Sequence, residues 1–265
     1  APFFHVGPMV TAEGTGWWGA FGNAGVHLQS VHGRLSGDDL SAFWTGPGRY
    51  DTAALDTLLR KVLSRDADAR IILGVWLDPY AEWGNENPDD VCQNAAGLYA
   101  LGKHHFAGWG KDPGNLRRLP SIFSHKAAED IVEMLCAVDG WLSTNTIGKA
   151  VVGYYLWGFN DADFGHWVHP GTSAGEKDPD DYSPAALAAL RRWLHERYAG
   201  DAGALRASWG REDADFATAA LPSAERRRAK GGDSFPWLLD RADREIVDFN
   251  RFYGETPSAF VEQII

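Results

Sequence analysis

The chain has 265 residues, of which 45% are hydrophobic and 23% are charged, and its net charge at pH 7 is -11. This length and composition fit one large globular domain with a core, or two small ones. Nucleic-acid binding is not expected, because neutralising phosphates requires clustered Lys and Arg, and the basic run Arg226 to Arg228 is predicted to lie in a solvated loop. No segment reaches the ~18 apolar residues that span a membrane, and no signal peptide is recognisable, so the compartment is left open.

The predicted elements alternate along the chain between buried strands and amphipathic helices. Apolar runs bounded by turn residues predict strands over residues 3–10, 26–31, 70–77 and 151–157. Helical spacing and capping residues predict helices over 51–66, over 121–144, from Ser183-Pro184 onward, over 202–209 and over 238–253. Asp51 or Thr52 is the expected N-cap of the first of these helices, and Cys136 is expected on the apolar side of the second. After the last helix, Pro257 kinks it or starts another. This alternation predicts parallel βα units and an α/β fold.

Two long insertions interrupt the pattern, over residues 79–119 and 199–235. Connections of this length are longer than most loops and are usually functional. The chain therefore holds about four of the eight βα units that a closed (β/α)8 TIM barrel requires. We expect one barrel domain over residues 1–265 that is incomplete at its C-terminus, as a half barrel or a fragment.

Polar residues gather after the fourth predicted strand. The apolar run Val151 to Trp157 is followed by Asn160, Asp161 and Asp163, and then by His166 and Trp167. In parallel α/β barrels the chemistry takes place at the carboxyl ends of the strands. Asp161 and Asp163 would face the same way on an extended segment, so that one could act as acid/base while the other orients it. The alternative is a turn rich in Asn and Asp.

A second acidic and aromatic group follows the third predicted strand. Asp78 and Glu82 have Trp76, Tyr80 and Trp83 as sequence neighbours. Carboxylates that bind vicinal hydroxyls, beside rings that stack on a sugar, are typical of a carbohydrate subsite. Alternatively, Asp78 caps the turn at Pro79. The other candidates for substrate contacts are Asn160, Trp157, His166, Trp167 and His5, although a core histidine is the commoner interpretation of His5.

Tryptophan is abundant, with 12 residues in the chain. Indole rings in glycine-rich loops could form flat platforms for sugar rings, or they could pin long loops to the body of the protein. Both interpretations apply to Trp17, Trp18, Trp44, Trp83, Trp109 and Trp167.

A metal or cofactor is not expected. Asp163, His166 and His169 have a spacing that would place them on one face of a helix, where they could bind a metal. Gly165 and Pro170 favour a loop instead.

Several segments resemble, in the same order, segments of the β-galactosidases of glycoside hydrolase family 42. The helix that ends in RWLHERY at Tyr198 and the segment ALRASWG that ends at Gly210 are similar to the RWLRERY and AAWG runs of that family. The run DFNRF over 248–252 is similar to DFRRF, and Gly48 to Asp51 with Leu55-Asp56 is similar to GRYDFSWLD. Residues 70–76 match the position of the third strand.

The resemblance implies a (β/α)8 barrel of the retaining-glycosidase clan. In that clan an Asn-Glu pair ends the fourth strand, its Glu is the general acid/base, and a second Glu after the seventh strand is the nucleophile. The pair corresponds here to Asn160-Asp161, or to Asn160 with Asp163 if the alignment shifts by two. Aspartate is shorter than glutamate by about 1.5 Å, and retaining hydrolysis requires two carboxyl groups about 5 Å apart.

The implied activity is hydrolysis of β-linked sugars by double displacement, with the nucleophile outside this chain. The partners would then be a carbohydrate substrate and the missing C-terminal half of the same protein. The alternative is a non-catalytic carbohydrate-binding half barrel, or a degenerate glycosidase that closes its barrel by forming a homo-oligomer.

Overall fold

The fold was analysed in a computed structural model of the chain. It describes residues 15–32, 34–35, 38–39, 43–103, 106–109, 117–157, 181–231 and 243–264. The chain divides into two compact units, one formed by Ala1–Trp83 and Asp130–Asp163 and the other by Gly84–Glu129 and Phe164–Ile265. Each unit is described separately.

Ten strands and eight α-helices lie in the described residues. The strands are β1 (Leu28–His32), β2 (Arg34–Leu35), β3 (Asp38–Asp39), β4 (Trp44–Gly46), β5 (Arg49–Tyr50), β6 (Arg70–Trp76), β7 (Ala100–Lys103), β8 (Phe106–Trp109), β9 (Arg117–Arg118) and β10 (Val151–Trp157). The α-helices are α1 (Thr15–Asn23), α2 (Thr52–Leu63), α3 (Trp83–Glu86), α4 (His125–Thr144), α5 (Pro184–Arg197), α6 (Ala202–Trp209), α7 (Ala224–Gly231) and α8 (Arg244–Ile264). Short 3-10 helices cover Pro88–Asp90 and Thr146–Ala150.

The first unit is built around a parallel sheet with the strand order β1-β6-β10. Leu28 pairs with Arg70 at the start of the sheet, and Trp157 pairs with Trp76 at its carboxyl end. Since α2 lies between β1 and β6 in the chain, and α4 lies between β6 and β10, the predicted succession of parallel βα units is confirmed for these three strands. The predicted strand over 3–10 lies outside the described residues.

Burial differs sharply between the central strand and the edge strand of this sheet. Ile71, Leu73 and Val75, which share one face of β6, are fully or almost fully buried, and Ile72 on the other face is half-buried. On β10, by contrast, Val152, Tyr154 and Tyr155 are 55%, 42% and 52% exposed. In the described part of the sheet, β10 is therefore an edge strand with the apolar sequence of a central one.

Helix α2 shows why this part of the chain was predictable. The Asp51 side chain accepts a hydrogen bond from the Ala53 amide at 2.9 Å, which confirms Asp51 as the N-cap. The buried face consists of Leu55, Leu58, Leu59 and Val62, at the i, i+3, i+4 spacing of an amphipathic helix.

Helix α4 begins four residues later than predicted, and its Cys136 lies on the exposed side of the helix instead of the buried side. The Ser124 hydroxyl accepts from the Ala127 amide at 2.9 Å and so caps the helix. Its buried stripe includes Met134 and Val138. Cys136 lies halfway between them in sequence, about 200° around the helix from each. The prediction of a buried Cys136 was therefore wrong, and this thiol is exposed.

Both predicted insertions contain secondary structure of their own. Within 79–119, the strands β7, β8 and β9 form an antiparallel sheet with the order β8-β7-β9. Within 199–235, α6 follows the N-cap Asp201 and ends at Gly210, whose φ of 64° is the left-handed conformation that glycine tolerates. Helix α7 carries Arg226 and Arg227, so the prediction that this basic run lies in a loop was wrong.

Helix α8 continues from Arg244 to Ile264, through Pro257, without a new helix starting there. Proline has no amide hydrogen, so one backbone bond of the helix is lost at this position. One residue earlier, the Thr256 hydroxyl donates to the Phe252 carbonyl at 2.7 Å, a bond to the i−4 carbonyl that commonly accompanies a bend in a helix. The residues 238–242 of the predicted helix lie outside the described ranges.

Candidate functional site

The carboxyl end of the parallel sheet brings together the backbone of three predicted site residues. Trp76 and Trp157 are paired in register at the ends of neighbouring strands, and Asp78 follows β6 by two residues. Because the strands are parallel, their carboxyl ends lie at the same edge, where α/β proteins bind their ligands. The side chains of Trp76 and Trp157 lie outside what the structure describes.

Asp78 lies in a buried, largely apolar stretch that follows β6. Its side chain is buried, and its neighbours Leu77, Pro79 and Tyr80 are buried as well. The Tyr80 ring packs edge-on against Trp44, with 5.5 Å between the ring centroids. Glu82, by contrast, is exposed.

Trp83 is a core residue of the first unit. It is 1% exposed, and its indole nitrogen donates to Asp130 of α4 at 2.8 Å. Trp18 and Trp44 are also buried. For these three residues the structure favours the second interpretation of the loop tryptophans, in which they pin connections to the body rather than form sugar platforms.

The predicted acid/base candidates lie outside the described residues. This applies to Asp161 and Asp163, and also to Asn160, His166, Trp167 and His5. The structure therefore leaves the choice between the two aspartates open. Among the residues it does describe, no group of three or more His, Cys, Asp or Glu side chains could hold a metal ion. None of the described helices has the length and apolar character needed to cross a membrane.

The second unit contains a buried carboxylate that the sequence did not single out as a functional residue. Asp181 is 1% exposed, and its Oδ1 accepts from the Ser183 amide at 2.7 Å and from the Gln93 amide at 3.2 Å. Burial raises the pKa of Asp181, while hydrogen bonds from Ser121, Ser183 and Gln93 lower it. The one signal in the sequence is its place in Asp-Tyr-Ser-Pro, two residues before the helix N-cap Ser183.

Tyr182 connects the same junction to the insertion over 199–235. Its hydroxyl donates to the Pro222 carbonyl at 2.7 Å, and its amide donates to the Gln93 carbonyl at 2.8 Å. The Arg227 guanidinium lies 5.3 Å from the centre of the Tyr182 ring and 4.6 Å from that of Phe249. Residues of both insertions thus converge on Asp181 and Tyr182.

The fold resembles solved glycosidases. A β-galactosidase from the psychrophilic Marinomonas ef1 matches with a TM-score of 0.58 and 18% identity, over 97% of this chain and 34% of that one. A catalytic mutant of a glycoside hydrolase family 42 β-galactosidase from G. stearothermophilus matches with a TM-score of 0.56 and 15% identity, over 96% and 30%. The catalytic domain of a β-amylase from Paenibacillus polymyxa matches with a TM-score of 0.62 and 11% identity, over 97% and 61%.

No protein-family model and no curated protein matches the chain. At these identities the structural likeness establishes the fold alone: an α/β fold of the kind found in TIM-barrel glycosidases. The resemblance to family 42 predicted from the sequence is confirmed at this level. The chain spans about a third of the length of the β-galactosidases that it matches. The number of βα units stays a prediction.

Proposed function

We propose that this chain is part of a glycoside hydrolase that acts on β-linked, galactose-like sugars by retaining double displacement. Asp161 or Asp163 acts as the general acid/base, and the nucleophilic carboxylate lies outside this chain. The remaining half of the same protein supplies that carboxylate. No cofactor takes part in this proposal.

The observation that carries the proposal is the likeness to β-galactosidases over nearly the whole chain, at TM-scores of 0.56 to 0.58. Fold alone does not determine function. The sequence supports the proposal with an acidic cluster directly after β10. This strand ends at the edge of the sheet where parallel α/β proteins generally bind their ligands.

The β-galactosidases are preferred to the β-amylase as a guide to the substrate. The match to the β-amylase has the higher TM-score but only 11% identity, whereas the four β-galactosidases share 14% to 18% of their residues with this chain. The family-42-like runs at Tyr198, Gly210 and 248–252 point the same way.

In this proposal the residues around the acidic cluster have separate roles in catalysis and in sugar binding. The acid/base aspartate protonates the leaving oxygen and then activates water, as retaining glycosidases require. Asn160 binds a sugar hydroxyl next to the reacting carbon. Asp78 and Glu82 bind hydroxyls from the neighbouring strand, and Trp76, Trp157 and Trp167 provide apolar contacts to the ring, with His166 and His5 as further hydroxyl partners.

The test is hydrolysis of aryl β-galactosides by the complete reading frame that contains this chain, with the 265-residue chain assayed in parallel. We expect turnover by the complete protein, with retention of configuration followed by NMR. Either Asp161→Asn or Asp163→Asn should lower kcat/KM for phenyl β-galactoside by about 10²–10⁴-fold, the usual contribution of an acid/base group. The other substitution should have a much smaller effect and so serves as its matched control.

Two results would contradict the proposal. The first is a complete protein that turns over no aryl glycoside. The second is full activity in both aspartate variants. Sugar binding without turnover, measured by titration calorimetry, would support the alternative of a carbohydrate-binding barrel.

A further inference from the structure

We propose that α7 is a strap, a short helix that opens and closes over an aromatic surface of the second unit, and that ionic strength sets how often it opens. The surface is formed by the rings of Tyr182, Phe249 and Tyr253. The Arg227 guanidinium of α7 lies over it, at 5.3 Å, 4.6 Å and 5.6 Å from the three ring centres. The inference concerns the second unit alone and does not depend on the proposed function.

The composition of α7 makes it weak as a helix on its own. It has eight residues, AERRRAKG, in which alanine is the largest apolar side chain. Isolated helices shorter than about 12–15 residues are marginal in water, and most helices in proteins are stabilised by an apolar face that packs on the core. Because α7 lacks large apolar side chains, its docking depends on contacts of another kind.

The contacts that hold α7 are made by two neighbouring arginines. Arg226 Nη1 donates to Glu245 Oε2 of α8 at 2.5 Å, and Arg227 packs on the aromatic surface. The Arg226 side chain is 45% exposed, so dissolved ions reach this pair and weaken it. The attraction between a guanidinium and a ring face is electrostatic as well. Both contacts therefore become weaker as the salt concentration rises.

The chain immediately before α7 is fixed to the body of the second unit. The Tyr182 hydroxyl donates to the Pro222 carbonyl at 2.7 Å, and Pro222 is buried. Ser223 follows, and its hydroxyl accepts from the Arg226 amide at 3.2 Å in the first turn of the helix. Opening of α7 would therefore pivot at Ser223 and leave the neighbouring helices folded, as in local unfolding of the least stable part of a protein.

Helix α6 provides a matched comparison within the same unit. It also has eight residues, but it is held by apolar side chains: Leu205 is fully buried and Trp209 is 9% exposed. Asp201 caps it by accepting from the Gly203 and Ala204 amides. Salt does not screen the burial of apolar surface, so α6 should stay closed under conditions that open α7.

The first measurement is hydrogen exchange of the 265-residue chain, followed by mass spectrometry. Exchange is compared at about 0.01 M and about 1 M sodium chloride, between which the Debye length falls from about 30 Å to about 3 Å. We expect peptides from α7 to exchange roughly two- to ten-fold faster at the higher concentration, and peptides from α6 to stay unchanged. Exchange in α7 that does not respond to salt, or an equal response in α6, would overturn the inference.

Three variants identify the groups that hold the strap. Arg227→Met keeps a long, flexible side chain without its charge, and Arg226→Gln removes the ion pair with Glu245. Each should speed exchange in α7 at low salt and reduce the further effect of salt. Arg206→Gln, which removes an arginine from α6, should leave α7 unchanged. If Arg227→Met does not fold, Arg226→Gln carries the same test, because its side chain is exposed. Exchange at the parent rate in the α7 variants would contradict the assignment.

The second measurement is limited cleavage by trypsin, which cuts after Arg226 and Arg227 only when the helix has opened. Cleavage of a transiently open segment follows the population of the open state when opening and closing are fast. The rate of cleavage at these two residues, divided by that of an unfolded peptide of the same sequence, should therefore rise with salt by the same factor as exchange. A ratio that stays constant between the two salt concentrations would overturn the inference.

Discussion

Replacing Asp248 should destabilise the helical part of the second unit more than any surface ion pair can. Asp248 is 4% exposed on α8. Its Oδ1 accepts from Arg197 Nε at 3.0 Å, and its Oδ2 accepts from the Tyr198 hydroxyl at 2.5 Å and from Trp209 Nε1 at 2.9 Å. One carboxylate therefore joins the end of α5, the end of α6 and the second turn of α8.

The expected loss of stability depends on which hydrogen-bond donors lose their acceptor when Asp248 is replaced. Hydrogen bonds to a charged group contribute roughly 1.5–3 kcal/mol each. Arg197 is 30% exposed and can turn toward water, which reduces its share. Trp209 is buried and would lose its acceptor, whereas the Tyr198 hydroxyl keeps a contact with Ser208. We expect Asp248→Ala to lower the free energy of unfolding by about 3–5 kcal/mol, the range for removing one partner of a buried pair.

The assay is urea unfolding followed by far-UV circular dichroism, comparing midpoints at constant slope. Asp248→Asn should lie between Asp248→Ala and the parent, because a neutral amide keeps one acceptor oxygen. Asp213→Asn is the matched control: Asp213 pairs with Arg211 at 3.0 Å, but both side chains are exposed, so its midpoint should stay at the parent value. An Asp248→Ala midpoint equal to that of the parent would refute the reasoning.

Three further predictions concern the first unit. Trp83→Phe should lower the free energy of unfolding by about 1–2 kcal/mol, because the hydrogen bond to Asp130 is lost. The affinity for sugars should stay unchanged. Weaker sugar binding of this variant in calorimetry would show that Trp83 contacts the substrate after all. Leu59→Ala should cost about 2–5 kcal/mol, because Leu59 is fully buried on α2, and a midpoint shift below that range in urea unfolding would contradict its core position. Burial and the neighbouring Glu133 raise the pKa of Tyr50 to about 12. The folded state therefore holds this proton more tightly than the unfolded chain, so its contribution to stability is complete below about pH 10 and lost as the pH rises through 12. Tyr50→Phe should reduce the loss of stability at alkaline pH. An unchanged dependence of stability on pH in this variant would contradict the prediction.

The sequence predicted the elements whose signal is local. The N-cap Asp51 and the leucines of α2 follow from helical spacing and capping chemistry alone. The strands 70–77 and 151–157 follow from apolar runs that are bounded by turn residues. Ser183-Pro184 likewise marked the start of α5.

The failures have physical causes of a different kind. The Arg227 guanidinium of α7 packs on the rings of Tyr182 and Phe249, which are distant in sequence, so the packing of this basic run could not be predicted from its neighbours in the chain. The antiparallel strands of the insertion over 79–119 are too short for a periodic pattern to be recognisable.

The candidate site was predictable only in part. Asp78 could be placed at the end of a strand, and the structure confirms that position. Whether a loop tryptophan lies in the core or on a binding surface depends on partners such as Asp130, which spacing along the chain does not disclose. The junction at Asp181 likewise depends on Gln93, which lies 88 residues earlier.

Among the described residues, β10 forms an edge of the parallel sheet, which has a consequence for the protein in concentrated solution. Its seven residues include no charge and no proline, the two features by which natural sheets commonly block edge-to-edge pairing. The register shift between Val151 and Gly153 is a local irregularity that disfavours a regular added strand at that end only. At Tyr154 and Tyr155 the edge stays regular and half-exposed. Light scattering of the 265-residue chain should therefore rise steeply with protein concentration, and a lysine at position 155 should suppress that rise.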